Sequence, residues 1–525
     1  MTLKEPLKSI SLCIITGLLA VCSFPKINLF FLAWIAFVPL SFVIIKSRLK
    51  TSFFYGFFSG FIFNIVGLYW LIPMLQFNTD SYVQAIIAAC ALWIYLALYW
   101  GAWSLFLNLS KKVLNSNILI ILSSSCIWVL LEYIRTYFLT GFPWMLIGYS
   151  QFKFIEIIQI AEFTGVYGVS FLIIFCNLCF YFWISKPFIY WKLPIKKIEK
   201  IKEDKYLYIA LTLILAASIF GAFRADKFRF FGTQEFTVAV VQPNINQYKK
   251  WDRYYKGDIL SDLKKYAFKI SEVKADLVLW PETTLMGFVP EDSQLYDCAK
   301  LITKTAGGFN IMGSPYNDEN GNIFNAVLAF ETGKVYKAVH KKNHLVLFGE
   351  YIPFRSFFSK FFGVLNQMGD FTKGVDTEIF DNGQICAGAT ICSENFFPGI
   401  SRKFVLSGAK VLTNHTNDAW FFDTAAPYQH FIMNIFRAVE TRKAVIVSAN
   451  SGISGIIEAS GIIVAKTPSS KNVLLTGNFL QNNFKTFYTN RGDLFIYMCA
   501  GLLLIIIFLY LSVTLVGVVM VKNRC

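Results

Sequence analysis

The sequence predicts a polytopic α-helical membrane domain of about eight spans, with one α/β sandwich domain inserted before the last span. Three observations predict it. The chain is 55% hydrophobic and 17% aromatic, too apolar for an ordinary soluble protein, and its apolar residues gather in runs of about 20, the length that crosses a bilayer. Its formal charge of +16 sits in clusters between those runs, where positive-inside topology puts lysine and arginine, so the charge does not imply nucleic acid. Between residue 234 and about 480 the pattern changes, and strand-like and helical segments mix as in a layered α/β domain.

Seven candidate spans precede residue 224, at about 8–24, 27–45, 52–75, 82–109, 116–138, 160–185 and 206–223, and an eighth lies at about 494–520. The first follows Lys4 and Lys8 and reads as an uncleaved anchor: Val21 is a poor residue before Cys22 for lipoprotein-type cleavage, and further spans follow at once. Loops near 46–51, 110–115 and 186–205 are basic, whereas those near 25, 78 and 140–155 carry few cations. That alternation requires an even number of spans, with both termini cytoplasmic and residues 224–492 outside. The expected domains are 1–223, 234–482 and a closing span, 493–521. Glu132, Glu156 and Glu162 fall near a span end or a loop-to-helix entry, which reads either as interfacial carboxylates or as part of an ion path.

Within the inserted domain, 235–242, 277–280, 310–313, 326–330, 410–414 and 444–450 read as strands, and 254–274, 293–306 and 429–442 as helices. Residues 387–394 are its centre: an apolar, strand-like run ends on Cys392, two residues before Glu394. A thiol at a strand end can be held rigidly toward a pocket, and cysteine is strongly nucleophilic once a neighbour takes its proton. Residues 277–280 likewise lead into Pro281-Glu282, and His340-Lys341-Lys342-Asn343-His344-Leu345 places lysines just ahead of Phe348-Gly349-Glu350-Tyr351. A base, a cation and a nucleophile thus stand at the ends of elements. Of 11 cysteines only Cys298, Cys386 and Cys392 lie in this domain; an odd number leaves at least one free thiol, and Cys392 is the candidate. The four histidines, His340, His344, His415 and His430, lack metal-site spacing, and no Gly-rich phosphate loop is present, so no metal or other cofactor is expected.

The order Glu282 in Trp-Pro-Glu, Lys342 in Lys-x-His-Leu and Cys392 in Ile-Cys-Ser-Glu resembles the nitrilase superfamily, whose catalytic Glu-Lys-Cys triad follows that order. Lys341 is the neighbouring alternative, and the spacing favours Lys342. With the spans around it, nearly the whole chain resembles the apolipoprotein N-acyltransferase family. The matching motifs are Gly141-Phe142-Pro143-Trp144 with Gly148-Tyr149-Ser150-Gln151, Val241-Gln242-Pro243-Asn244 with Lys250-Trp251, Asn417-Asp418-Ala419-Trp420-Phe421, and Gln429-His430 followed by Arg437-Ala438-Val439-Glu440. Leu347 departs from a usual proline in 344–351, and Ser393 stands where tyrosine is common.

The resemblance implies a nitrilase-like α/β sandwich on the extracytoplasmic side of a bacterial inner membrane. It implies transfer of a fatty acyl chain from a phospholipid, usually phosphatidylethanolamine, to the α-amine of diacylglyceryl-cysteine at an apolipoprotein N-terminus. A Cys392 thioester would form and be consumed in ping-pong order. Glu282 would be the base and Lys342, with the backbone N–H after Cys392, would hold the oxyanion. Glu350 and Glu394 would support the site, and a monomer without nucleic acid or cofactor is expected. Trp251 and Trp420 read as substrate-pocket walls or as core aromatics. Phe358 and Phe361, in the phenylalanine-rich stretch 353–362 with Arg355 and Lys360, read as a lipid-gating arm or as a packing segment. The alternative is a membrane-tethered nitrilase-type amidase, which would pass the thioester to water. A transporter would need broken polar helices at mid-membrane, and no strong pair of these stands out.

Overall fold

The computed structural model describes residues 4–79, 81–185, 197–289, 291–331, 334–347, 349–352 and 370–522. The arm at 353–362, with Phe358 and Phe361, lies outside the described residues. The chain divides into two compact units, one of Met1–Tyr69, Ile86–Ala222 and Arg491–Cys525, the other of Trp70–Ala85 and Phe223–Asn490.

Among the described residues, seven helices are long and apolar enough to cross a membrane: Glu5–Cys22, Leu49–Gly67, Tyr82–Val113, Asn117–Thr140, Val166–Ile184, Asp204–Phe228 and Leu494–Ser512. The remaining expected span, 27–45, differs: it is broken into a short 3₁₀ helix, Phe30–Trp34, and an α-helix, Val38–Ile44. Pro39 accounts for the break, because a residue without an N–H opens a helix and cannot continue one from the preceding turn. The expected span 52–75 also ends early, at Gly67, and a separate helix, Leu71–Thr79, follows it. Pro73 falls in the first turn of that second helix, where N–H groups have no intrahelical acceptor. Glu132 is buried within the protein, and its Oε1 accepts from the Ile147 N–H at 2.8 Å. Arg135, equally buried, donates to the Trp144 carbonyl at 3.4 Å. An acid and a base one helical turn apart thereby hold the 141–151 loop, satisfying polar groups that would otherwise be costly in apolar surroundings.

The second unit contains two six-stranded sheets. The first is built from β1 (Gln234–Gln242), β2 (Leu277–Leu279), β3 (Phe309–Asn317), β4 (Ile323–Glu331), β5 (Lys334–Lys341) and β12 (Val473–Gln481), in the order β12-β1-β2-β3-β4-β5. The second is built from β6 (Ile379–Asp381), β7 (Cys386–Ile391), β8 (Val411–Thr416), β9 (Val445–Ala449), β10 (Gly455–Ile457) and β11 (Ile463–Lys466), in the order β11-β10-β9-β8-β7-β6.

Side-chain alternation explains the layers. In β1, Val238 and Val240 join Leu277, Leu279 and Ile311 against Ala387, Ala389, Ile391, Val411 and Ile446 of the other sheet. The intervening Ala239 and Val241 join Val278 and Met312 under Leu263, Ile270, Leu295 and Ile302. Those last four come from helices Lys256–Val273 and Ser293–Ala306. Period-two strands with apolar residues at every position must be covered on both faces. On the second sheet Gly388 lets helix Pro398–Leu406 approach, since a Cβ there would lie 2.7 Å from Phe404 Cβ. The strands β1, β2 and β3 run parallel, as do β7, β8 and β9. Parallel strands present their carboxyl ends together, and that is where ligands bind in α/β sheets.

Candidate active site

Each triad candidate follows the carboxyl end of a strand. Glu282 comes three residues after β2, Lys342 directly after β5 and Cys392 directly after β7. Cys392 has φ 51° and Thr283, next to Glu282, has φ 47°. Left-handed backbone at non-glycine residues costs energy, and such strain gathers where a side chain must be aimed.

Glu282, Lys342 and Glu350 form one buried cluster. Lys342 Nζ lies 2.8 Å from Glu350 Oε1 and 3.8 Å from Glu282 Oε1. Asn325 in β4 spans the two acids, its Nδ2 donating to Glu282 Oε1 and Glu350 Oε1, each at 2.7 Å. The Asn417 N–H, directly after β8, donates to Glu282 Oε2 at 2.9 Å, so both sheets hold the same carboxylate. Glu350 Oε2 accepts from the Val346 N–H at 2.8 Å, which fixes the turn between them.

Charge decides how the cluster behaves. Burial would strip the proton from Lys342, but Glu350, Cys392 and Glu282 outweigh it and hold the ammonium firmly charged. Burial, followed by the negative charge of Glu282, pushes the Cys392 thiol well above its ordinary range, with Lys342 pulling the other way. The resting sulfur is therefore a thiol and needs a base in order to attack.

Glu394 has a different task. Its Oε2 accepts from the Ile391 N–H at 2.8 Å and its Oε1 from the Asn343 N–H at 2.5 Å. It therefore joins the residue before Cys392 to the residue after Lys342. His340 Nε2 lies 3.2 Å from its Oε2. Burial opposes the charge, but His340 and the two N–H groups keep the Glu394 carboxyl below the usual range.

Beyond the sulfur, Thr416 Oγ1 donates to Asp418 Oδ1 at 2.9 Å, and His430 Nδ1 meets the same oxygen at 2.8 Å. Trp420 packs on Phe77 of helix Leu71–Thr79, centroids 5.5 Å apart, and Phe77 also meets Tyr248 at 4.6 Å. Trp251 is half-exposed beside the short helix Gln247–Lys250. Glu282, Lys342, Glu350 and Cys392 are thus brought together, Glu394 braces them, Trp251 follows the helix Gln247–Lys250 and Trp420 stands in the 3₁₀ helix Asp418–Phe421. Asn325 was not foreseen, because a lone asparagine at the start of an apolar strand carries no signal of its own. Lys250 and Asp418 stood inside recognisable motifs without an assigned task. Among the described residues, no group of three or more His, Cys, Asp or Glu side chains could hold a metal ion.

Comparisons with known proteins identify the family. The apolipoprotein N-acyltransferase N-terminal domain matches residues 16–179, and the carbon-nitrogen hydrolase domain matches 237–479. An apolipoprotein N-acyltransferase from Geobacter metallireducens is 31% identical over 507 residues, 94% of each chain. The chain belongs to the apolipoprotein N-acyltransferase family. Other acyltransferases of that name, from Pasteurella multocida and Rickettsia prowazekii, are 28% and 30% identical and cover 96% and 87% of this chain and 95% and 88% of their own. Among solved structures, an amidase from Nesterenkonia sp. aligns at 17% identity and TM-score 0.38, covering 50% of this chain and 95% of its own. A Saccharomyces cerevisiae member of branch 10 of the nitrilase superfamily aligns at 16% and 0.38, covering 47% and 90%. The carbon-nitrogen hydrolase match covers the two-sheet domain, and the described residues also hold seven long apolar helices.

Proposed function

We propose that Cys392 takes a fatty acyl chain from a membrane phospholipid, phosphatidylethanolamine by preference, and passes it to the N-terminal amine of a diacylglyceryl-cysteine apolipoprotein. The observation that carries this reading is the convergence of Glu282, Lys342 and Cys392 at the strand ends of two facing sheets in a chain of this family. In the first half-reaction Glu282 takes the thiol proton as sulfur attacks the ester carbonyl. Lys342 and the Ser393 N–H hold the oxyanion. The tetrahedral adduct then expels the lysophospholipid alkoxide, which receives the proton from Glu282. In the second, the acceptor amine attacks the thioester, Glu282 takes its proton, and the departing thiolate recovers it. Glu350 and Asn325 keep Lys342 and Glu282 in register.

Both substrates hold their tails in a bilayer, which is why the chemistry is attached to membrane helices. We place the protein in the bacterial inner membrane as a monomer, with the catalytic domain extracytoplasmic and both termini cytoplasmic, following the distribution of basic loops. The test uses the full chain in vesicles containing phosphatidylethanolamine with deuterated acyl chains and a diacylglyceryl-cysteine peptide. Peptide that gains the labelled chain as an amide supports the proposal. Release of labelled fatty acid with unmodified peptide identifies the hydrolase alternative instead.

A further inference from the structure

Lys250 is a second buried cation beside Glu282, and the triad chemistry leaves it without a task. It ends the short helix Gln247–Lys250, whose N-cap Asn246 accepts from the Tyr248 N–H at 2.9 Å. Tyr248 and Trp251 on either side are exposed, at 71% and 51%, while Lys250 is 1% exposed. Its Nζ donates to the Glu282 main-chain carbonyl at 3.1 Å, the one hydrogen-bond partner it has among the described residues. The helix is tied to the site from another side, because Gln247 Oε1 accepts from Asn417 Nδ2 at 2.9 Å and the Asn417 N–H binds Glu282 Oε2.

Charge balance gives this placement a meaning. The Glu282 carboxylate is faced by Lys342 after β5, by the Cys392 thiol after β7, and by Asn325 and the Asn417 N–H, while Lys250 Nζ holds the same residue's main-chain carbonyl. Glu350 shares Lys342 and Asn325 with it. Asp418, near the sulfur, is occupied by Thr416 and His430. Two carboxylates against Lys342 alone would leave a buried excess of one negative charge, and such a pair takes up a proton. A proton on Glu282 would disable the base.

Resting on the acyl-enzyme reading above, we propose that Lys250 is a positioning residue that neutralises the Glu282–Glu350–Lys342 cluster and so keeps Glu282 ionised for the thiol proton. Burial lowers the Lys250 ammonium to about 8, with Glu282 opposing the fall.

The test is the pH profile of Cys392 alkylation by iodoacetamide, read by mass spectrometry on the full chain, in wild type, Lys250→Gln and Lys250→Arg. Glutamine keeps a donor for the carbonyl and removes the charge; arginine keeps the charge. The K250Q profile is expected to move its acidic limb up by about one unit or more, a tenfold loss on that limb, while K250R keeps the wild-type limb. A folded K250Q with the wild-type limb overturns the proposal. Should K250Q fail to fold, the K250R limb decides: unchanged supports the proposal, raised overturns it. Acyl-adduct formation from phosphatidylethanolamine is measured in parallel. Wild type that alkylates but forms no adduct would sink the donor assignment, and the alkylation profiles would still decide the role of Lys250.

Discussion

One amide nitrogen serves two acids: Asn325 Nδ2 donates to Glu282 and to Glu350, and Lys342 sits between the same two groups. Hydrogen bonds to charged groups contribute about 1.5–3 kcal/mol each. Asn325→Leu should therefore slow acyl-enzyme formation by about tenfold to a hundredfold, measured as adduct growth with time, while leaving phospholipid binding intact. Lys342→Met removes the cation proposed to hold the oxyanion and should cost on the order of a hundredfold or more in the same assay. Glu394→Ala should act differently. It releases the turns of both Cys392 and Lys342, so thermal stability and activity should fall together.

The elements that were legible in the sequence are those whose burial is complete. Strands β2, β8 and β9 are buried at every position and β1 from Val238 on, and β7 leads into Cys392; the spacing of 293–306 matches its helix. Strand β11, by contrast, alternates half-buried and exposed residues over four positions, and β6 and β10 have three residues each; such pieces are too short for a period to show. Helix Pro398–Leu406 was silent for the same reason. The short segment around Val38–Ile44 read as a full span because apolar composition alone does not reveal what Pro39 interrupts. In the site, strand-end residues were legible because strand and residue type agree, whereas Asn325 depends on a β3–β4 pairing that no local pattern encodes. Gly388 shows how an element carries the site: Gly388→Val would drive a side chain into Phe404 four residues before Cys392. Overpacking of this kind costs about 1–3 kcal/mol, so G388V should lower both the melting temperature and the adduct yield.

At the scale of the molecule, buried histidines tie stability to pH. His415 Nδ1 meets the Trp280 carbonyl at 2.7 Å, linking β8 to the strand end that leads to Glu282, and burial pushes its imidazole down from 6.5 to about 4. His344, pressed on Phe397 with ring centroids 3.7 Å apart, is also lowered to about 4, chiefly by burial. Both are neutral when folded, so the unfolded chain binds protons first as pH falls. Their contribution is complete above pH 6.5 and drains away toward pH 4, by roughly 3 kcal/mol for the fully buried His415. Unfolding of the full chain in detergent should show a falling midpoint across that window, and His415→Gln should flatten its slope. Acylation of Cys392 is read most directly by intact mass spectrometry after incubation with phosphatidylethanolamine alone, beside Cys392→Ala. The proposed thioester at Cys392 should add one fatty-acyl mass, absent in C392A and removed by a diacylglyceryl-cysteine peptide. A folded wild-type protein that gains no mass, or an adduct that persists in C392A, would contradict it.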